Sequence, residues 1–190
     1  VHLGMTGRLR IFSASEEDPA HTHLVLGLDR KRELRYSDAR RFGQISTFPR
    51  ADEKSHPALK VLGPDPLDEA VDGAKLLYES AKRRNVTLKA LVLDQGVIAG
   101  MGNIYASEAL WISRLHPTTR SSKLTAKTAE LLWKAMRQVL DHALTHGGTT
   151  LKDFVDADGS KGEHADYLHV YGREDEPCAR CKAKIVRTVQ

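Results

Sequence analysis

The hydrophobic pattern of the chain changes period once, near residue 62. Before that point, residues 2–12, 23–28 and 33–36 alternate apolar and polar positions or run apolar, and residues 41–48 continue the pattern. Polar, turn-forming segments at residues 13–19 and 29–32 divide these runs, which therefore predict strands of an antiparallel sheet. Leu62-Gly63-Pro64-Asp65-Pro66-Leu67 interrupts the pattern and is the expected domain boundary. Residues 68–146 then follow a helical period. Leu76, Leu77, Ser80, Ala81 and Arg84 trace a short amphipathic face, residues 87–94 predict a second helix ending at Gln95-Gly96, and a third begins at Asn103 and stops before His116-Pro117. The longest places Ala129, Leu132, Trp133, Met136, Val139, Leu140, Ala143 and Leu144 on one face, with Thr125 as N-cap and Gly147 as stop. Residues 148–190 are polar and glycine-punctuated, with one short apolar stretch at 167–171. The expected class is α+β: a β part, a helical part and a C-terminal appendage.

Composition changes this picture little. A chain of 190 residues can bury a real core. Lys and Arg exceed Asp and Glu by 29 to 25, an excess that suits a polyanionic partner only if the charge is clustered. The apolar runs are too short to span a bilayer and no signal peptide is visible, so no membrane partner is expected. Cys178 and Cys181, three apart, are no disulfide framework, which points to a reducing cytoplasm. Val1 opens directly onto a strand pattern, so the chain is expected to begin part-way through a domain.

The strongest local feature is Gly100-Met101-Gly102-Asn103-Ile104-Tyr105-Ala106-Ser107-Glu108, a glycine-rich turn feeding a helix with Asn103 as the expected cap. Backbone N–H groups at such a helix start suit a phosphate. Taken alone, the nonapeptide fits an ordinary corner between two helices better, because short glycine motifs often serve packing only. Cys178-x-x-Cys181 is half of a four-cysteine zinc site; His164 and His169 precede it without finger-like spacing. His21 and His23 are expected to share a strand face as a surface pair. Asp65, Asp68 and Glu69 read as solvated charge.

Read together, residues 88–95, the nonapeptide and Arg114-Leu115-His116-Pro117 resemble the helix-two-turn-helix DNA-binding module of the formamidopyrimidine-DNA glycosylase and endonuclease VIII superfamily. His2-Leu3-Gly4-Met5-Thr6-Gly7 resembles the family's turn bearing a methionine wedge. Asp38-Ala39-Arg40-Arg41-Phe42-Gly43 resembles its arginine–phenylalanine loop, with Ala39 where many relatives carry proline. The resemblance implies that Met5, Arg40 and Phe42 fill the gap left by a flipped nucleotide, with Arg40 offering donors to the orphaned cytosine. It also implies that Asn103 holds a DNA phosphate beside the lesion and Lys89 lies near the damaged nucleotide. Gly102, Tyr105 and Arg173 join this phosphate- and lesion-proximal set. Residues 147–154 and 158–162 resemble the loop that closes over 8-oxoguanine in the formamidopyrimidine branch, which favours that branch over endonuclease VIII.

The fold so implied is the C-terminal part of an antiparallel β-sandwich domain (1–62), a helix-two-turn-helix domain (63–147), a lesion-capping loop and connector (148–173) and an incomplete zinc finger (174–190). The activity implied is base-excision repair of oxidised purines in duplex DNA, by base flipping, N-glycosidic cleavage and AP-lyase strand scission through a Schiff base. The family's nucleophile is an N-terminal proline, aided by a glutamate and a lysine, all expected upstream of Val1; no lysine of this chain is an obvious substitute. This chain is accordingly expected to be inactive or binding-only, a monomer on damaged double-stranded DNA, cytoplasmic and nucleoid-associated. Zinc belongs to the intact family member, and Cys178 and Cys181 alone are not expected to hold it stably. The alternatives are an endonuclease VIII-like enzyme for oxidised pyrimidines and a non-catalytic helix-two-turn-helix nucleic-acid-binding module.

Overall fold

A computed structural model describes residues 1–150 and 162–188. The chain forms two compact units, Val1–Arg50 with Ala143–Asp166, and Ala51–His142 with Tyr167–Gln190.

The first unit holds one three-stranded antiparallel sheet of β1 (Arg8–Ser13), β2 (Thr22–Gly27) and β3 (Arg32–Ser37), in the order β1-β3-β2. The register sets Leu9 opposite Tyr36 and Ile11 opposite Leu34 on one side, and Leu26 opposite Leu34 on the other. The central strand buries an arginine. Arg35 reaches the carbonyls of Ser13, Glu16 and Glu17 and pairs with Glu33 and Asp18, so the turn after β1 is held from beneath by a guanidinium with full use of its fork. No second sheet forms among the described residues, and Ile11, Val25 and Leu26 remain exposed.

Two strand expectations are corrected. Residues 41–48 form no strand; only Gln44 pairs, in an isolated bridge to His2 with both hydrogen bonds at 2.8 Å. Arg41 has φ 56, a left-handed conformation that breaks the pleat. Residues 3–7 also turn rather than extend, with Gly4 at φ 63 and the Gly7 amide on the Leu3 carbonyl at 3.0 Å, so the first strand starts at Arg8. His21 lies outside β2 at φ 62, and a register irregularity falls between Thr22 and Leu24. The two histidines therefore share no strand face, although both are exposed, as expected of a surface pair.

The second unit is helical: α1 (Pro57–Lys60), α2 (Gly73–Arg83), α3 (Leu88–Leu93), α4 (Asn103–Ile112) and α5 (Ala126–Thr145), the last three residues of α5 being counted with the first unit. Local chemistry starts three of them. Asp72 accepts from the Lys75 amide, Thr87 from Ala90, and Thr125 from Thr128, each an N-cap worth about 1 kcal/mol. Leu77, Leu88, Leu91, Val92, Ile98, Met101, Leu110, Leu132 and Met136 are fully buried in one core, each stabilising the fold by about 1.5–3 kcal/mol. On α5 the anticipated face is buried except for Leu140, which is partly buried, and Leu144, which is 67% exposed and continues the same edge of the stripe. No described helix is long and apolar enough to cross a membrane.

Candidate nucleic-acid interface

In the first unit, one buried carboxylate organises two exposed loops. Asp38, directly after β3, accepts from the Thr6 and Tyr36 hydroxyls and from the Gly43 and Arg40 amides, the last three at 3.1, 2.8 and 3.3 Å. The Thr6 hydroxyl and the Gly43 amide, with Tyr36 and Arg40, hold its carboxyl well below the usual carboxylate range against the opposing effect of burial. Gly43 makes the approach possible. A Cβ there would fall 2.0 Å from the Tyr36 hydroxyl and 2.9 Å from the His2 carbonyl oxygen.

The result is an exposed cluster of Met5, Arg40 and Phe42. Met5 is 72% and Phe42 61% exposed. The Arg40 guanidinium lies 3.7 Å from the Met5 sulfur and 5.8 Å from the centre of the Phe42 ring. Two large apolar side chains left in water beside an arginine forgo burial worth about 1.5–3 kcal/mol each, which marks a contact surface rather than misplaced core.

In the second unit, the Gly-rich turn into α4 is stapled by Gln95, whose amide nitrogen donates to the Met101 carbonyl at 3.0 Å while its oxygen accepts from Gly100 at 2.9 Å. Gly102, not Asn103, is the N-cap; its φ of −97 and ψ of 174 are extended, and it has no side chain to cap the first turn. Asn103 is the first helical residue and is exposed. The outward-facing dipole end of α4 thus begins at two exposed residues. Tyr105 is partly buried against the core.

Lys89 reaches this helix start. The first amides of α3 are taken by the carbonyls of Thr119 and Pro117, at 2.8 and 3.1 Å, which fixes the backbone of Leu88 and Lys89. The Lys89 ammonium donates to the Asn103 carbonyl at 3.0 Å and to the Ser107 hydroxyl. Burial lowers the pKa of Lys89, partly offset by the charge of Glu108. Lys89, Asn103 and Ser107 line a cleft of about 1080 Å³ together with Arg114, Tyr171 and Arg180.

The far side of that cleft hangs on Glu108, a buried acid in an otherwise apolar stretch of α4. Its carboxylate accepts from the amides of His169, Val170 and Tyr171 at 2.8, 2.9 and 2.9 Å, and from the His169 ring at 3.2 Å. Arg173 follows, paired with Glu176 at 2.8 Å and donating to the Leu168 carbonyl at 3.1 Å.

Cys178 and Cys181 lie on a tight knuckle closed by hydrogen bonds from Cys178 to Ala183 and from Lys182 to Cys178. The Trp111 indole N–H donates to the Cys178 sulfur at 3.5 Å. With the Cys181 and Arg180 amides and the Cys181 side chain, it pulls that thiol down to about 6. Arg180 covers the Trp111 ring at 4.0 Å, and His169 stacks on it at 4.1 Å. The pair is shaped for a thiolate, yet no third His, Cys, Asp or Glu joins it among the described residues. A closed zinc site takes four ligands, so these residues supply half a set and do not fit the metal by themselves. His169 is engaged by Glu108, and His164 is buried against the Thr149 hydroxyl.

The structure thus brings Met5, Arg40 and Phe42 together in one unit. In the other it brings Lys89, Gly102 and Asn103 together, with Cys178 beside Cys181. Of the anticipated capping loop, residues 151–161 lie outside those described; Gly147 and Gly148 both have positive φ, and Thr149 pairs with Glu163. Asp38 and Glu108, the two carboxylates that hold these groups in place, were not singled out from sequence. An acid on the buried face of α4, between Ala106 and Leu110, is the signal that was available for the second.

Residues 1–45 match the formamidopyrimidine-DNA glycosylase N-terminal domain, and residues 62–155 match the formamidopyrimidine-DNA glycosylase H2TH domain. The chain is 41% identical to the formamidopyrimidine-DNA glycosylase of Desulforamulus reducens, over 98% of this chain and 67% of that protein. It superimposes on the MutM (Fpg) protein of Thermus thermophilus with a TM-score of 0.88 at 40% identity, covering 99% of this chain and 69% of the other. A Lactococcus lactis Fpg mutant bound to a Fapy-dG containing DNA gives a TM-score of 0.89 at 30% identity, with 98% and 68% covered. The Lactococcus lactis Fpg bound to an abasic site containing DNA gives the same values. The chain spans about two thirds of the length of these proteins. With that identity along nearly all of its residues, the chain belongs to the formamidopyrimidine-DNA glycosylase family.

Proposed function

We propose that this chain recognises damaged duplex DNA as the lesion-binding part of a base-excision glycosylase for oxidised purines, 8-oxoguanine and formamidopyrimidines. The observation that carries the reading is the exposed cluster of Met5, Arg40 and Phe42. Flipping a nucleotide costs a few kcal/mol of stacking, and an apolar wedge with an arginine beside it offsets that cost while offering donors to the orphaned base. A ribosomal-type RNA binder has no use for such a wedge. The Fapy-dG complex of the Lactococcus lactis relative supports the purine branch.

In this reading Asn103 and Gly102 hold a phosphate at the start of α4, with Lys89, Tyr105 and Arg173 near the lesion. The sheet is one layer of a β-sandwich, the knuckle is half of a zinc finger, and the protein works as a monomer on the bacterial nucleoid, in the cytoplasm. Glycosidic cleavage and AP-lyase scission need an activated amine, which in this reading is the family's N-terminal proline.

Two measurements test the reading. Asn103→Ala lowers affinity for a duplex carrying a tetrahydrofuran abasic analogue by about 10-fold, the loss of one hydrogen bond to a charged group. Wild-type affinity falls steeply with salt. Undiminished affinity of the variant, or salt-independent binding, sinks the phosphate site. Arg40→Ala leaves binding to the analogue but loses preference for cytosine opposite it, a difference of about 1–3 kcal/mol for a good base contact. If cytosine and adenine are still discriminated as in the wild type, Arg40 is not the reader.

A further inference from the structure

We propose that Arg114 forms a second phosphate site, at the opposite end of α4 from Asn103, and grips the DNA strand several nucleotides away from the lesion. The inference rests on the DNA-binding reading above. It extends that reading to a residue held in a backbone conformation that its own side chain disfavours.

α4 ends at Ile112, Ser113 is its C-cap, and Arg114 follows at φ 60, in the left-handed region. The Leu115 amide returns to the Leu110 carbonyl at 2.9 Å and the Arg114 amide to the Trp111 carbonyl at 3.1 Å, the two bonds of a Schellman motif. Glycine is the usual residue at this position, because a Cβ is strained there. Arginine is therefore the strained choice, and its side chain does not repair the helix end. The last carbonyls of α4, those of Ala109, Leu110 and Trp111, are already met by the Ser113, Leu115 and Arg114 amides, the Ser113 hydroxyl and the Arg180 guanidinium.

What the side chain does instead follows from its surroundings. Arg114 is exposed and lines the cleft that also reaches Lys89 and Asn103. Other cations there are committed: Lys184 to Asp175 at 2.8 Å, Arg187 to Glu174 at 3.8 Å, and Arg180 to the Trp111 carbonyl and ring. Arg114 has no ion pair and no side-chain hydrogen bond among the described residues. A guanidinium is a planar fork matched to two phosphate oxygens. The ten residues of α4 span about 15 Å, and at a rise of about 3.4 Å per nucleotide along one strand that is about four nucleotides. Grips at both ends of the helix fix the direction of the strand as well as its position.

The test pairs stability with binding. Arg114→Gly and Arg114→Asn accept the left-handed backbone and remove the charge, whereas Arg114→Lys keeps both charge and strain. The melting temperature of Arg114→Gly rises by about 2–4 °C. Affinity for a tetrahydrofuran duplex falls about 5-fold in the glycine and asparagine variants, and the slope of log affinity against log salt becomes shallower by about 1. The preference for damaged over undamaged duplex is unchanged, and Arg114→Lys keeps the wild-type slope. A neutral methylphosphonate placed about four nucleotides from the tetrahydrofuran weakens wild-type binding but adds nothing in Arg114→Asn. A glycine variant that binds with wild-type affinity and salt slope overturns the inference and leaves the DNA-binding reading intact. So does a glycine variant less stable than the wild type, or a methylphosphonate effect equal in wild type and Arg114→Asn. A wild-type chain that binds neither duplex overturns both.

Discussion

An Asp38→Asn variant melts several degrees below the wild type, loses its preference for damaged duplex, and has a flatter stability profile in acid. The reason is the number of donors converging on one carboxylate. Thr6 and Tyr36 hydroxyls and the Gly43 and Arg40 amides all point at Asp38, from the turn carrying Met5 and from the loop carrying Arg40 and Phe42. Asparagine keeps one acceptor oxygen but turns an NH₂ towards groups that are themselves donors, so at least one amide loses its partner and the two loops are no longer tied together. The acid dependence follows in sign. The folded-state pKa of Asp38 is depressed, so its contribution is fully present above the ordinary carboxylate value of about 4 and is lost as pH falls through that value towards the lower native one. Asparagine cannot titrate and lacks that part of the decline. Urea unfolding at neutral pH and at successive steps into acid measures it. Parallel acid limbs for the two proteins would mean that Asp38 is not the tie between the loops.

Asp38 also shows where sequence reading stops. Helices α2 to α5 were legible because their causes are local: Thr87 and Thr125 cap the turns that follow them, and the buried stripe from Ala129 to Val139 repeats at the helical period, whereas the single turn of α1 fell in the part read as β. The Met5, Arg40 and Phe42 set was legible only as a joint resemblance, and its contact geometry was not. Residues 41–48 read as a strand because their apolar spacing is right. What bends them is the left-handed Arg41 and the pull of Asp38 on the Gly43 amide, beside a hydrogen bond from Thr6, 32 positions before Asp38. Arg35 is a similar case: a charge in a strand predicts an exposed position, and three carbonyls plus two carboxylates gathered from residues 13–33 are what allow its burial. The cap of α4 moved by one residue because glycine and asparagine are both acceptable there, and only the backbone dihedrals decide.

The largest effect in the helical unit is expected from Glu108→Ala. Three consecutive backbone amides, those of His169, Val170 and Tyr171, end on this one carboxylate, and Glu108 is 2% exposed. Alanine leaves the donors without an acceptor in a place where water must be admitted to replace it. A buried unsatisfied donor costs about 1–3 kcal/mol, and with partial hydration the three together cost about 3 kcal/mol. Glu108→Gln is the milder change, keeping one oxygen for the amides while its NH₂ opposes them. The damage is local before it is global, because what Glu108 secures is the strap from residue 169 to the knuckle, including the His169 ring stacked on Trp111 and the Cys178 sulfur on its indole N–H. Alanine therefore exposes residues 169–171 to rapid amide exchange, changes the Trp111 fluorescence, and weakens binding to abasic duplex because Tyr171 and Arg180 no longer wall the cleft that Lys89 and Asn103 face. Glutamine gives intermediate values on all three readouts. Protection of the 169–171 amides in Glu108→Ala equal to that in the wild type would show that the strap is held by something other than this carboxylate.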